Sequence, residues 1–240
     1  MRLWKDWIEA QPQVVPMLVE SIKKQRLAHA YLFEGQAGSG TMDLAMLLAK
    51  RFLCENSQGE NPCLHCVDCT RIETGNHPDL HRIFPDGQSI KREQIDYLQK
   101  EFSYRGMESG KKVYIVFDAD KMTSTAANTL LKFLEEPQGE TLAMLITEQA
   151  SNVLPTIRSR SQHLRFQPPL KEEIMHQLVE HGIEQKHSHF LAELTENKEM
   201  AIRLIEDDWS FQARSVVLQL MYELYTCLLY TSDAADEEDS

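Results

Sequence analysis

A glycine-rich stretch with the sequence GQAGSGTM begins at Gly35 and has the spacing of a phosphate-binding loop. Such loops follow the pattern G-x-x-x-x-G-K-[ST]: backbone N–H groups cradle the phosphates, the lysine reaches the β and γ phosphates, and the hydroxyl binds Mg²⁺. Gly35 and Gly40 occupy the two glycine positions, with Gly38 between them, but Thr41 replaces the lysine and Met42 replaces the hydroxyl residue. We therefore expect a loop of the right backbone shape with no ATP bound in it, or else a glycine turn unrelated to nucleotides.

Four of the five cysteines form a second chemically capable group, C-x8-C-x2-C-x2-C, at Cys54, Cys63, Cys66 and Cys69. Two-residue gaps let successive thiolates converge on one ion, and four thiolates complete a tetrahedral zinc site. In a reducing compartment such clusters are metal sites more often than disulfides. The spacing predicts a structural zinc ion, because four sulfur ligands leave no position open for water.

The residues around the cysteines leave two alternatives open. His65 and His77 are close enough in sequence for either to replace a cysteine as ligand, although each is also explained as an ordinary loop histidine. An iron–sulfur cluster would usually continue with C-x3-C-P, which Thr70–Glu73 does not supply. Zinc on the four cysteines is thus the interpretation that the sequence favours.

Two acidic residues follow the strand-like run VYIVF, which ends at Phe117. In P-loop NTPases an Asp at this point helps to hold Mg²⁺, and the next acidic residue polarises the attacking water. Asp118 occupies the first position, Ala119 stands at the second, and Asp120 comes one residue later. We expect no ATP hydrolysis in this chain's own site, with the two acids otherwise explained as turn or helix-capping residues.

Apolar runs of strand length alternate with helical patterns up to Phe166 and predict a parallel α/β sheet. Strands are expected at Ala30–Glu34, Leu80–Phe84, Val113–Phe117, Leu142–Thr147 and His163–Phe166. Helices are expected at Gln11–Arg26, Met42–Phe52, from about Ile95 to Gly106, and Thr123–Glu136.

The pair Pro168–Pro169 predicts a hinge, beyond which the pattern is helical only. We expect a P-loop-like domain over residues 1–167 with its zinc insert at 54–69, and a small helical domain over 168–230. Residues 231–240 contain five acids and no base, and are expected to be a disordered or non-native tail.

Composition restricts the class of protein. The formal net charge of −12 argues against a broad, self-sufficient nucleic-acid-binding surface, which favours a basic face. No apolar run approaches the roughly 18 residues of a membrane helix. The first residues, MRLWKDWIEAQP, are interrupted by charges and do not resemble a signal peptide. We expect a cytoplasmic protein without membrane contact.

Several segments together resemble the clamp-loader branch of the AAA+ proteins, and within it the delta-prime type of subunit of bacterial DNA polymerase III. The resemblance covers roughly residues 1 to 225. It rests on the cysteine insert and on five segments: QPQVV (11–15), RLAHAYLFEG (26–35), VYIVFDADKM (113–122), AANTLLKFLEEP (126–137) and SRS (159–161). It implies a P-loop AAA+ sheet domain with a zinc-binding insert, an all-helical lid domain, and a C-terminal collar domain for which this chain is too short.

The resemblance also implies roles for single residues. The family's ATP-hydrolysing subunits keep the loop lysine, the neighbouring hydroxyl and the acidic pair, from which Thr41, Met42 and Ala119 depart. Arg160 matches the arginine of the family's Ser-Arg-Cys motif, which acts in trans on ATP bound by a neighbouring subunit. Arg158 is the near alternative, and a surface arginine paired with an acid is the simpler interpretation of Arg160.

The function implied is that of a non-hydrolysing subunit in a hetero-oligomeric ring that loads the sliding clamp onto primed DNA. Its expected partners are the gamma/tau and delta subunits of the DNA polymerase III holoenzyme, a DNA-directed DNA polymerase and hence a nucleotidyltransferase. Two alternatives remain: an ATP-hydrolysing subunit of the gamma/tau type, and a zinc-containing regulator that binds nucleic acid.

Overall fold

The chain forms two compact units, Met1–Leu170 and Lys171–Ser240. The computed structural model describes residues 2–103, 110–136, 139–195, 198–206 and 209–236.

The first unit alternates strands and helices, as the sequence predicted. Its strands are β1 (Ala30–Glu34), β2 (Leu80–Ile83), β3 (Lys111–Val116), β4 (Glu140–Thr147) and β5 (Gln162–Arg165). Its helices are α1 (Val14–Lys23), α2 (Thr41–Leu53), α3 (Val67–Thr74), α4 (Arg92–Ser103), α5 (Ser124–Glu135) and α6 (Pro155–Arg158). Short 3₁₀ turns lie at Trp4–Trp7, Ala119–Lys121 and Ala150–Asn152.

The five strands form one parallel sheet in the order β2-β3-β4-β1-β5. Strand β1 lies inside the sheet, with Leu32 level with Leu145 of β4 on one side and His163 of β5 on the other. The parallel α/β sheet expected from the sequence is therefore confirmed.

Each face of the sheet is covered by its own apolar core. Along β1, Tyr31 and Phe33 face a core shared with α1, α2 and the N-terminal tryptophans, whereas Ala30 and Leu32 face a core shared with α4 and α5. Successive strand residues point to opposite faces, and both faces of a parallel sheet are covered by helices. This explains why the strands read as continuous apolar runs.

Two local features differ from the expected elements. Helix α3 begins within the cysteine insert and continues beyond it to Thr74, where no helix was predicted, and Gly75 caps it in the left-handed conformation. The turn before Arg160 is the short helix α6. Gly106, the expected end of α4, lies outside the described residues.

Helices are the only regular secondary structure in the described part of the second unit. It contains α7 (Lys171–Glu180), α8 (Gln185–Leu194), α9 (Lys198–Glu206) and α10 (Trp209–Asp236). Its core includes Ile174, Leu178 and Leu191. Helix α10 continues through the first six residues of the expected tail, and residues 237–240 lie outside the described part. None of the described helices has both the length and the apolar character needed to cross a membrane.

Candidate functional site

The glycine loop joins the end of β1 to the start of α2. The N–H of Gly35 donates a hydrogen bond to the carbonyl of Thr147 at the end of β4 (3.0 Å). Gly38 and Gly40 have φ angles of 88° and 84°, in the left-handed region that glycine adopts without a steric penalty. Gly40 is the N-cap of α2, so the loop wraps a helix N-terminus as a phosphate cradle does.

The side chains that follow the loop carry no positive charge. Thr41 is buried, and its methyl group lies near Gly35. Met42 is exposed on the first turn of α2. A phosphate in this loop would therefore meet the helix N-terminus without the lysine and the Mg²⁺-binding hydroxyl that complete such sites.

The N-terminal segment packs directly on this loop. A Cβ atom on Gly40 would lie 2.3 Å from Cζ3 of Trp7, so the indole ring occupies the space beside the glycine. Gln11 is buried and donates hydrogen bonds from Nε2 to the carbonyls of Ser39 (3.0 Å) and Gln167 (2.7 Å). Its Oε1 accepts a hydrogen bond from the N–H of Gln167 (2.8 Å). The loop is thus fixed from both ends of the first unit.

An acidic side chain already uses one N–H group of the loop. Oε1 of Glu148, just beyond β4, accepts a hydrogen bond from the N–H of Ala37 (3.2 Å). Glu148 lines an open polar cavity of about 380 Å³ with Asp118, Asp120, Lys121 and Gln149. A carboxylate therefore stands beside the loop, where a bound phosphate would bring further negative charge.

The two acids after β3 are engaged locally. Asp118 adopts a left-handed conformation (φ 49°), and its carboxylate pairs with Lys121 at 2.9 Å. Hydrogen bonding to Asp118 raises the pKa of Lys121. Oδ1 of Asp120 accepts a hydrogen bond from the hydroxyl of Thr147 (2.5 Å), and Ala119 between the acids is buried. These local contacts at the end of a strand are of the kind expected if the two acids are turn or helix-capping residues.

The four cysteine sulfurs converge at the junction of α2, the following hairpin and α3. All four Sγ atoms lie within 4.8 Å of one another. The Sγ atom of Cys54 lies 3.5 Å from that of Cys63 and 3.8 Å from that of Cys66, and the Cys63–Cys69 distance is 3.9 Å. A disulfide would need about 2.05 Å. Four thiolates bound tetrahedrally to zinc at about 2.3 Å would lie about 3.8 Å apart. The donor set therefore fits a tetrahedral ion.

Backbone N–H groups support the sulfurs. The N–H of Cys63 points at Sγ of Cys54 (3.4 Å), that of Cys66 at Sγ of Cys63 (3.3 Å), and that of Cys69 at Sγ of Cys66 (3.4 Å). A backbone hydrogen bond from His65 is the main cause that lowers the pKa of the Cys63 thiol to about 6. Burial raises the pKa of Cys54 and Cys69. A nearby positive charge, such as a metal ion, acts in the opposite direction and favours the thiolate form.

Neither neighbouring histidine joins the four sulfurs. His65 is exposed, and its Nδ1 lies 2.7 Å from the carbonyl of Cys63. His77 is buried, its Nδ1 accepts a hydrogen bond from the N–H of Asp79 (3.1 Å), and its Nε2 lies 3.4 Å from Asp68. The geometry therefore favours the ligand set of four cysteines.

Arg160 lies at the surface, two residues after α6. Its Nη2 pairs with Oε1 of Glu135 at the end of α5 (2.7 Å), and its Nη1 donates a hydrogen bond to the carbonyl of Thr156 (3.1 Å). Arg158 is also exposed, and it forms no side-chain ion pair within the described residues. The glycine loop, the acids after β3 and the end of β4 are thus brought together, whereas the cysteines and Arg160 each form a separate site.

Three contributors were not found from the sequence. Trp7 and Glu148 reach the loop from distant parts of the chain, and nothing in the local pattern indicates that. Lys50, which is buried near the cysteines, precedes Cys54 by four residues. This four-residue spacing, which places two side chains on the same face of a helix, was the one sequence feature that could have indicated the position of Lys50.

Comparison with known proteins gives a family-level match. The family model described as "DNA polymerase III, delta subunit" matches residues 10–170. The delta' subunit of DNA polymerase III from Bacillus subtilis is 50% identical over 92% of this chain and 67% of its own length. The tau subunit from Escherichia coli is 32% identical over 75% of this chain and 28% of its own length.

A solved structure shares the fold. A DNA polymerase III gamma-subunit-related protein from Thermotoga maritima superposes with a TM-score of 0.50 and 23% identity, over 82% of this chain and 62% of that protein. The chain therefore spans about two thirds of the Bacillus relative and less of the other two proteins.

Proposed function

This chain belongs to the DNA polymerase III delta subunit family, and on that premise we propose that it is a non-hydrolysing subunit of the clamp loader. In this role it helps an ATP-driven ring to load the sliding clamp onto primed DNA during replication. Its partners are then the gamma/tau and delta subunits, the clamp, and primed DNA within the complex. It is a subunit of a polymerase holoenzyme without ATPase activity of its own.

The observation that supports this proposal most is the state of the glycine loop. Phosphoryl transfer depends almost wholly on positioned charges, and this loop has neither the lysine nor the hydroxyl. Trp7 lies against Gly40, and Glu148 accepts the N–H of Ala37. A triphosphate would have to displace a carboxylate and enter without a cation to receive it.

Calorimetry with Mg-ATP tests the loop. We expect no measurable binding up to millimolar nucleotide and no ATP turnover by the isolated chain. The double variant Thr41→Lys/Met42→Thr should still give no turnover, because Ala119 leaves no acid to polarise water. Micromolar affinity of the unaltered chain for Mg-ATP would contradict the proposal.

The similarity to the tau subunit is the observation that favours a competing function, that of an ATP-hydrolysing subunit. The same calorimetric and turnover measurements separate the two, since that function requires nucleotide in this loop. A matched control is Met42→Leu, which preserves the apolar side chain. It should behave as the unaltered chain does.

We assign the trans role to Arg160. In the isolated chain its guanidinium is held by Glu135 and by the carbonyl of Thr156. An exposed ion pair of this kind stabilises by only about 0.2–1 kcal/mol. Arginine fingers contribute roughly 10³- to 10⁵-fold in rate in GTPases. Exchanging Glu135 for a neighbour's γ-phosphate is therefore energetically accessible, and the planar fork of arginine can contact two phosphate oxygens at once.

We also assign a structural zinc ion to Cys54, Cys63, Cys66 and Cys69. The distances between the sulfurs match tetrahedral thiolate ligation, and all four positions are filled by protein. Zinc would supply folding energy to the insert, while the cysteine side chains and their N–H···S contacts set its geometry. The sheet does not depend on the ion, because the insert lies outside it.

A further inference from the structure

Lys50 is a buried cation beside the cysteine site. It lies on α2, and only 4% of its side chain is exposed. Its ammonium group pairs with the carboxylate of Glu73 on α3, which is largely exposed. Burying an ammonium group is unfavourable unless nearby negative charge offsets the loss of water. The Glu73 carboxylate offsets part of this cost and joins Lys50 to α3.

Helical spacing places two of the cysteine ligands beside the Lys50–Glu73 pair. Cys54 follows Lys50 by four residues at the end of α2, and its N–H donates a hydrogen bond to the carbonyl of Lys50 (2.9 Å). On α3, Glu73 follows Cys69 by four residues, so these two side chains share one face of the helix. Lys50 therefore lies where a ligand of α2 and a ligand of α3 approach each other. Burial lowers the pKa of Lys50, and the nearby Cys69 acts in the opposite direction.

The charge of a loaded site makes a cation useful at this position. A divalent ion with four thiolates carries a net charge of −2. Cys54 and Cys69 are the two buried ligands, so negative charge on their sulfurs is the least screened by water. A positive charge between their helices therefore offsets the charge of the loaded site where water screens it least.

We propose that Lys50 is a positioning residue for the metal site. Its ammonium group offsets the excess negative charge of the four-thiolate centre and so favours the binding of one ion by Cys54, Cys69 and the other two cysteines. This inference rests on the metal site proposed above. Partners just outside a metal's ligands typically change affinity by about 10- to 100-fold.

A purely structural ion pair gives a different expectation. If Lys50 and Glu73 only join two helices, removing either one should weaken the site to a similar degree. If Lys50 instead acts through its charge, Glu73 competes with the thiolates for that charge. Removing the Glu73 carboxylate then lets the whole positive charge of Lys50 act on the sulfurs. The two substitutions should then have different effects, and this difference can be measured.

The test is an anaerobic Co²⁺ titration under reducing conditions, followed by the visible bands of tetrahedral thiolate-bound cobalt, with Zn²⁺ affinity measured by competition. We expect Lys50→Met to weaken Co²⁺ binding about 10- to 100-fold. Its spectrum at saturation should match that of the unaltered chain, because the ligands are the same. Lys50→Arg should retain most of the affinity, and Glu73→Gln should bind as tightly as the unaltered chain or more tightly.

Lys23→Met is the matched control. Lys23 lies 4.0 Å from Glu60 of the same insert, but more than half of its side chain is exposed. Its removal should leave metal affinity unchanged. If Lys50→Met and Lys23→Met weaken metal binding equally, the effect depends only on the net charge of the chain, and the assignment is overturned.

Three further results would also overturn it: unchanged affinity in Lys50→Met, a loss in Glu73→Gln equal to that in Lys50→Met, or an altered cobalt spectrum in Lys50→Met. If Lys50→Met does not fold, the pair Lys50→Arg and Glu73→Gln still decides, because weakening by Glu73→Gln contradicts the charge role. If the unaltered chain binds no Co²⁺, the metal site itself is wrong, a failure distinct from that of Lys50.

Discussion

Replacing Gly40 by alanine tests whether the N-terminal segment fixes the glycine loop. Gly40 has a φ of 84°, and a Cβ there would lie 2.3 Å from the ring of Trp7. Two costs should therefore add. A side chain in the left-handed region costs about 1–2 kcal/mol, and an extra methyl group in a packed core costs about 1–3 kcal/mol. We expect Gly40→Ala to lower the free energy of unfolding by about 2–5 kcal/mol.

Gly87→Ala separates the two costs. Gly87 also has a positive φ, of 67°, but a Cβ there would meet no atom within 4 Å. This variant should lose only the backbone part, about 1–2 kcal/mol. The difference between the two variants, about 1–3 kcal/mol, then measures the contact with Trp7.

Urea unfolding in a Trp209→Phe background provides the assay, because Trp4 and Trp7 are then the only tryptophans in the sequence. Introducing Trp7→Phe removes the ring atoms nearest Gly40, so the cost of Gly40→Ala should fall towards that of Gly87→Ala. If Gly40→Ala is no more destabilising than Gly87→Ala, the ring does not fix the loop, and the argument that Trp7 restricts this site is wrong.

Two other predictions concern the separate sites. Cys66→Ser should reduce bound zinc well below the one equivalent per chain that we expect in the unaltered protein by elemental analysis. Its parallel sheet should persist by circular dichroism, and loss of the sheet would show that the insert is not independent of it. Arg160→Ala, in a version of the chain extended to the length of its relatives, should fold and keep its zinc, yet lower the DNA- and clamp-stimulated ATPase and clamp loading of a reconstituted ring. If Arg158→Ala has this effect and Arg160→Ala does not, Arg158 is the trans arginine, and if neither has it, Arg160 is a surface arginine paired with Glu135.

The sequence predicted the sheet well because its evidence is local. The five strands are short apolar runs bounded by glycine, proline and charged residues, and each was found within a few residues of its position. Helix α3 was missed because only eight residues, Val67–Thr74, form it. Its two buried side chains, Cys69 and Ile72, have the i, i+3 spacing of a helix, but two positions are too few to establish a helical period. In that segment the spacing of the cysteines, which predicts a metal site, was a stronger signal than any helical pattern.

The parts of the site that the sequence could not give depend on contacts between distant residues. Gln11 bonds to Gln167, and Ala37 bonds to Glu148, across more than a hundred residues in each case. Such contacts arise from the order of the strands in the sheet. A periodic pattern or a short motif in the sequence therefore does not indicate them. The absence of lysine at Thr41 was visible in the sequence, whereas the side chains that fill the space around the loop were visible only in the fold.

The internal position of β1 affects how the protein is made. Ala30 pairs with Ala143 of β4, and Tyr31 pairs with Gln162 of β5, so the strand synthesised first obtains its neighbours last. A nascent chain that ends before residue 140 can place β2 beside β3, but it leaves Tyr31, Leu32 and Phe33 without the strands that cover their edges. Pairings so distant in sequence fold slowly, and apolar strand edges exposed during translation are sites of aggregation. We therefore expect this segment to be the one that chaperones bind on the ribosome, until β5 has emerged and closed the sheet.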